Sequence, residues 1–149
     1  MTRLISIAAL LAASAGTAAS ILLERHNRAF LSDMGENRDN FEELFKQIRR
    51  KTSYRVLVTS GNRSHAAQER LYAQNKKNAK PGRSPHQHQR AMDINLVSLR
   101  GLVRKSDSKE TWEATGVPEL ARDLGFRWGG DFRTYHDPVH FEVRRGGGK

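Results

Sequence analysis

A small α+β domain is the fold class this sequence predicts, and three observations carry it. The length of 149 residues leaves room for one domain. An amphipathic helical stretch at Phe41–Ile48 runs directly into a β-branched stretch at Tyr54–Thr59. A second alternating run, Ala91–Leu96, lies beyond a long polar loop. Helices and strands mixed in this way point to a central antiparallel sheet with flanking helices.

The elements follow in order. Leu4–Leu23 is a run of twenty residues without a charge, of which eight are large and apolar and seven are alanine. Its length suits a membrane span, but its many small residues make it weakly hydrophobic. Arg3 followed by Leu4–Ala13, with Ala13-Ser14-Ala15 as a cleavage site, also reads as a signal peptide. Residues 1–23 are therefore expected to be an export signal or a weak membrane anchor, placing the chain in the periplasm, in the cell wall or on the membrane. Residues 24–40 are polar, show no clear period, and read as a linker or a frayed helix. Phe41, Leu44, Phe45 and Ile48 share one helical face, with Asp39 or Asn40 as cap. Tyr54–Thr59 is a strand; Ser60-Gly61-Asn62 is turn chemistry; Ser64 can cap a helix over about 66–75, with Ala67 and Leu71 inward. Residues 76–89, with Pro81, Gly82 and Pro85, form a loop. Ala91–Leu96 is a strand, a short helix near Val117–Leu124 stops at Gly125, and Phe141–Val143 is a final strand. The folded domain is expected over 41–145, with 146–149 as a loose tail.

Composition limits the chemistry. Cysteine is absent, which excludes disulfides, a cysteine nucleophile and thiolate metal sites. A metal site must be built from histidines and carboxylates. The formal charge is +10, and between Leu44 and Met92 there are twelve Lys and Arg against one acid, Glu69. Such a surface suits a polyanionic partner. Only Tyr54 and Tyr72 are available for stacking in that stretch and no nucleic-acid module accompanies it, so nucleic acid is not expected as a partner.

Of six histidines, two stand out by position. In the strand around Asp93, Met92, Ile94 and Leu96 share one face, which leaves Asp93 on the other. In the last strand Phe141 and Val143 form the apolar face, so His140 and Glu142 point away from it. His86 lies seven residues before Asp93, in the loop leading into its strand. Two strands and one loop can thus gather His86, Asp93 and His140, a ligand set that leaves a metal position open for water. Asp137, three residues before His140 in a turn set by Pro138, can face the same metal and act as a proton acceptor, although Asp-Pro alone is also an ordinary turn. Glu142 reads equally as a partner of a ligand imidazole or as a solvated glutamate.

Four segments together resemble a known family. Ser84-Pro85-His86, followed by Ala91-Met92-Asp93, is similar to the S-x-H-x-x-G-x-A-x-D pattern of the zinc D-alanyl-D-alanine carboxypeptidases, peptidase family M15. Thr59–Ser64 with Gln68 and Leu71-Tyr72 resembles that family's SGYRS…Q…LY segment. Gly125–Phe132 and Asp137–Glu142 resemble its GFxWGGDW and DPxHFE segments, the latter most like its L-alanyl-D-glutamate endopeptidase branch. The resemblance covers about 41–143. It implies Zn²⁺ in a surface cleft on His86, Asp93 and His140, with Asp137 as general base. It also implies Arg63 as the group stabilising the polarised carbonyl or a substrate carboxylate, Gln68 and Ser84 lining the substrate groove, and Trp128 packed beneath. Two positions depart from the pattern: Gln89 stands where the family has glycine, and Asn62 where it has an aromatic residue. If the glycine holds a positive φ, Gln89 must bear strain or the loop must shift, and His88 then competes with His86.

The expected function is hydrolysis of a peptidoglycan stem-peptide bond, of L-Ala-D-Glu endopeptidase or D-Ala-D-Ala carboxypeptidase type, by a monomeric zinc metallopeptidase. Two other readings stay open. One is a non-catalytic wall-binding module of the same fold. The other is a non-haem iron oxygenase, whose histidine and carboxylate usually stand one residue apart rather than seven.

Overall fold

A computed structural model describes residues 17–146. The front of the expected export segment, residues 1–16, and residues 147–149 of the tail lie outside them. Among the described residues no helix is long and apolar enough to cross a membrane.

The chain is an α+β domain. Helices α1 (Thr17–Leu31) and α2 (Arg38–Lys51) lead into β1 (Arg55–Ser60) and α3 (His65–Gln74). Strands β2 (Ala91–Ser98) and β3 (Gly101–Val103) follow, then α4 (Lys109–Glu113), α5 (Val117–Asp123), β4 (Phe126–Trp128) and β5 (His140–Val143). The sheet runs β1-β2-β5-β4, all antiparallel, with β3 also on β2. β3 pairs with Leu96–Ser98 and β5 with Ala91–Asp93, so the two share one edge of β2 while β1 takes the other.

The expected periodicities decide burial. Met92, Ile94 and Leu96 of β2 are fully buried, as are Phe41, Leu44 and Ile48 of α2. Phe41 meets Phe126 edge to face, with ring centroids 5.1 Å apart. Trp112 and Phe141 complete this core from α4 and β5. Ser64 caps α3, its Oγ accepting from Ala67 N at 3.2 Å. The residue α3 buries is polar, Gln68, while Ala67 and Leu71 are only half-buried.

The expected linker over 24–40 is the main correction. Residues up to Leu31 belong to α1, which packs on β1, and a short 3-10 turn at Gly35–Asn37 joins it to α2. The helix buries few side chains: Leu23 packs with Val97, and Leu31 enters the main core, as does Met34 just beyond the helix. Its principal anchor is an amide. Asn27 Nδ2 donates to Val56 O at 2.7 Å, and Asn27 Oδ1 accepts from Val58 N at 3.0 Å. One side chain thus makes the two bonds that a neighbouring strand would make along the outer edge of β1. Asn27→Ala strips partners from a buried carbonyl and a buried N–H and is expected to cost about 2 kcal/mol. A lowered urea midpoint at unchanged m value would show it.

Candidate metal centre

The register of β2 and β5 sets Asp93 directly opposite His140. Both side chains leave the apolar face and converge on His86, which arrives on the 3-10 turn Pro85–His88. The geometry is tight. His86 Nε2 lies 3.3 Å from His140 Nδ1 and 3.3 Å from Asp93 Oδ1, and His140 Nδ1 lies 3.1 Å from Asp93 Oδ1. Donors at about 2.05 Å around a tetrahedral ion stand about 3.3 Å from one another. The three atoms already form one face of that tetrahedron, and among the described residues no other such donor group occurs.

The far side of each imidazole fixes which nitrogen faces the centre. His86 Nδ1 is 2.8 Å from Gly61 O, which can only accept, so the ring's proton sits there and Nε2 keeps its lone pair. His140 Nε2 donates to Glu142 Oε2 at 2.9 Å, which frees Nδ1. Glu142 is 4 % exposed and also accepts from Arg127 Nη1 at 2.7 Å. Of the two readings the sequence left open for Glu142, the structure takes the buried partner of an imidazole.

The electrostatics suit a cation. With no metal bound, burial works against the charge on Asp93, but the imidazoles of His140 and His86, which take up a proton on the side facing it, outweigh burial and hold the carboxyl well below the usual range. Burial likewise disfavours a charged His140, yet the bonds to Asp93 and Glu142 push its pKa up to about 9. Glu142 is held low despite its burial, through His140, Arg127 and Arg90. In the metal-free pocket a second proton on His140 Nδ1 thus faces Asp93, and a metal ion would take its place.

Gln89 takes the left-handed conformation, φ 55° and ψ 29°, so the loop keeps its path and the side chain bears the strain. The offset is visible: Gln89 Nε2 donates to Asp33 O at 2.8 Å, and Asn37 Nδ2 donates to Gln89 O at 3.1 Å. His86 stays in place. His88 turns outward, its Nε2 within 2.9 Å of Gly82 O.

Arg63 borders the donors. Its Nη2 lies 3.9 Å from Asp93 Oδ2 and donates to Ser60 Oγ at 2.9 Å, while Nη1 donates to Gln68 Oε1 at 2.9 Å. Gln68 and Ser84, expected to line the groove, are 1 % and 3 % exposed and offer a substrate almost no surface. Gln68 instead holds Arg63, its own Nε2 tied to Ala79 O at 2.7 Å. Ser84 heads the turn that carries His86.

Asp137 lies on the turn entering β5. Its carbonyl accepts from His140 N at 3.0 Å, and its N–H donates to Gly129 O at 3.2 Å. A Cβ on Gly129 would come within 2.1 Å of Asp137 O, so only glycine allows the approach. Trp128, buried beneath, donates from Nε1 to Pro138 O at 2.7 Å. The turn is thus held from three sides. Asp137 Oδ1 is buried without a hydrogen bond, and Lys105 Nζ stands 3.2 Å from it as an ion pair lacking hydrogen-bond geometry. Sequence reasoning missed Lys105 because nothing in its neighbourhood marks it. What results is a carboxylate oxygen with spare accepting capacity, on the turn whose main chain bonds that of His140.

Residues 77–143 match the family model described as D-alanyl-D-alanine carboxypeptidase, M15 type; this stretch includes His86, Asp93, Asp137 and His140 but not Arg63. The peptidoglycan L-alanyl-D-glutamate endopeptidase CwlK of Bacillus subtilis is 31% identical over 102 residues, covering 59% of this chain. The present chain spans 60% of that relative's length. Among solved structures, the L-Ala D-Glu endopeptidase ChiX of Serratia marcescens aligns with a TM-score of 0.61 at 24% identity, over 80% of this chain and 86% of its own. The LD-carboxypeptidase LdcB aligns at 0.53 and 24% identity, over 73% of this chain and 57% of its own. At these identities the structural likeness establishes the fold. Over residues 77–143 the sequence is thus similar to the M15 peptidases, and the fold is the one seen in ChiX and LdcB.

Proposed function

We propose that the chain is a zinc-dependent peptidase that hydrolyses a bond in the peptidoglycan stem peptide. The observation that carries this reading is the face of three donors, His86 Nε2, Asp93 Oδ1 and His140 Nδ1, at tetrahedral spacing, with Arg63 bordering Asp93. Zinc held there, in a cleft at the surface, supplies Lewis-acid polarisation of the scissile carbonyl and a lowered pKa for the attacking water. Asp137 accepts the water's proton and delivers it to the leaving amine. Arg63, held by Gln68 and Ser60, presents positive charge where the carbonyl oxygen becomes negative. Glu142 orients His140 and strengthens it as a donor.

Mass spectrometry of fragments released from purified peptidoglycan tests the reading. Soluble peptides beginning with D-glutamate, or stems shortened by D-alanine, are expected. Intact wall after incubation with protein carrying one zinc per chain would overturn it. Glu142→Gln should weaken zinc binding about 10–100-fold without removing a ligand, measured by competition with a chelating dye.

We also propose that the chain is exported. Cleavage after Ala15 would spare every residue of α1 that the structure describes, Thr17–Leu31. Terminal sequencing of protein recovered outside the cytoplasm checks this; an unprocessed, wholly cytosolic chain would count against it.

A further inference from the structure

Beside the centre, on the Glu142 side, lies a cleft of about 950 Å³. Six arginines line it: Arg83, Arg90, Arg127, Arg133, Arg144 and Arg145. The two acids on its wall, Asp131 and Glu142, are already engaged. Asp131 pairs with Lys109 and Arg122, and Glu142 with Arg127 and His140. The cleft thus keeps a large uncompensated positive charge in a concave surface, where the field is concentrated. Two of its lining residues, Phe132 and Glu142, contact His140 of the metal centre. The Phe132 ring stands 5.7 Å from the His140 ring, 5.2 Å from Tyr135, and 5.2 Å from the Arg127 guanidinium. A chain lying across the three donors passes Phe132 and enters the arginines. On the other side of Asp93 a smaller pocket of about 450 Å³ has two cations, Arg104 and Lys105, and Lys105 is already on Asp137.

We infer that the arginine-lined cleft receives the carboxylate-bearing half of the stem peptide and so fixes the direction in which the peptide lies across the site. The inference rests on the peptidase reading. Beyond an L-Ala-D-Glu bond the stem carries a free carboxylate on D-glutamate, a second on a diamino acid such as diaminopimelate, and one at its end. Before that bond, L-alanine is joined by an amide to the sugar's lactyl group and carries none. Release of a single D-alanine needs room for one residue, whereas a cleft of this size accommodates a ligand as large as a tripeptide. The charge and the volume therefore match cleavage inside the stem, with the anionic half leaving through the arginines.

The test uses the full chain and its Arg133→Gln/Arg144→Gln/Arg145→Gln variant, in which no metal donor is altered. The probe is γ-D-glutamyl-diaminopimelyl-D-alanine, with its fully amidated form as control. Calorimetry on metal-free protein is expected to show about tenfold weaker binding of the free-acid peptide to the variant, less at high salt, and no change for the amidated one. With zinc and an L-alanyl-extended substrate, KM should rise in the variant while kcat holds. No binding of the free acid, equal binding of both peptides by wild type, or equal binding of the free acid by both proteins would overturn the inference. So would a poly(glycerol phosphate) chain that binds the cleft and is not displaced by the peptide. Intact peptide binding with no hydrolysis by zinc-loaded wild type would uphold the cleft and remove the peptidase reading instead.

Discussion

Asp137→Asn is expected to keep its zinc and lose about 10²–10⁴-fold in turnover on peptidoglycan. The substitution preserves shape, and the main-chain bonds of the turn to Gly129 and His140 do not involve the side chain. What disappears is the carboxylate oxygen that stands buried without a hydrogen bond, since an amide cannot take a proton from the attacking water. Affinity for the stem peptide should change far less than kcat. Metal analysis beside steady-state kinetics separates the roles: loss of zinc would make Asp137 a ligand or a ligand's support. Near-normal turnover with zinc retained would assign the base elsewhere.

His140→Ala should have the larger effect on the metal. It removes one of three donors, and zinc content measured after dialysis is expected to fall well below one per chain, with activity lost. It also leaves Asp93 and Glu142, both held ionised by the imidazole, facing each other without it. The metal-free variant should therefore be less stable than metal-free wild type by about 3 kcal/mol, read from denaturant unfolding. His88→Ala is the matched control, because His88 turns away toward Gly82 and should change neither quantity. Stoichiometric zinc in His140→Ala would remove that residue from the ligand set.

Legibility in the sequence followed the strength of local pattern. Alternation in Ala91–Leu96 announced both the strand and the face on which Asp93 stands, and the structure extends it only to Ser98. The helix around Phe41–Ile48 was equally plain, since its four apolar residues sit at helical spacing. The short strands β3 and β4 and the five-residue α4 were not legible: three to five residues hold too little of a period to rise above their neighbours. Helix α1 escaped for another reason. It is held by an amide bonding a strand edge, and a polar anchor leaves no hydrophobic signature. In the site, the residues with metal-binding chemistry were readable because few side chains can supply it. The inward turn of Gln68 toward Arg63 was not, because a glutamine reads alike whether it faces a groove or supports a neighbour. The conformation of Gln89 was readable as a conflict but not in its resolution, which depends on Asp33 and Asn37 more than fifty residues earlier.

The Asn27 clasp bears on how this protein stays a separate molecule. β1 ends the sheet, and its outer N–H and carbonyl groups are satisfied by Asn27 and His26 of α1 rather than by another strand. Take the helix away and that edge becomes a template on which a second copy can add its own strand. A chain begun at residue 32 should therefore self-associate with extra β-structure, seen as rising light scattering, while the full chain stays dispersed.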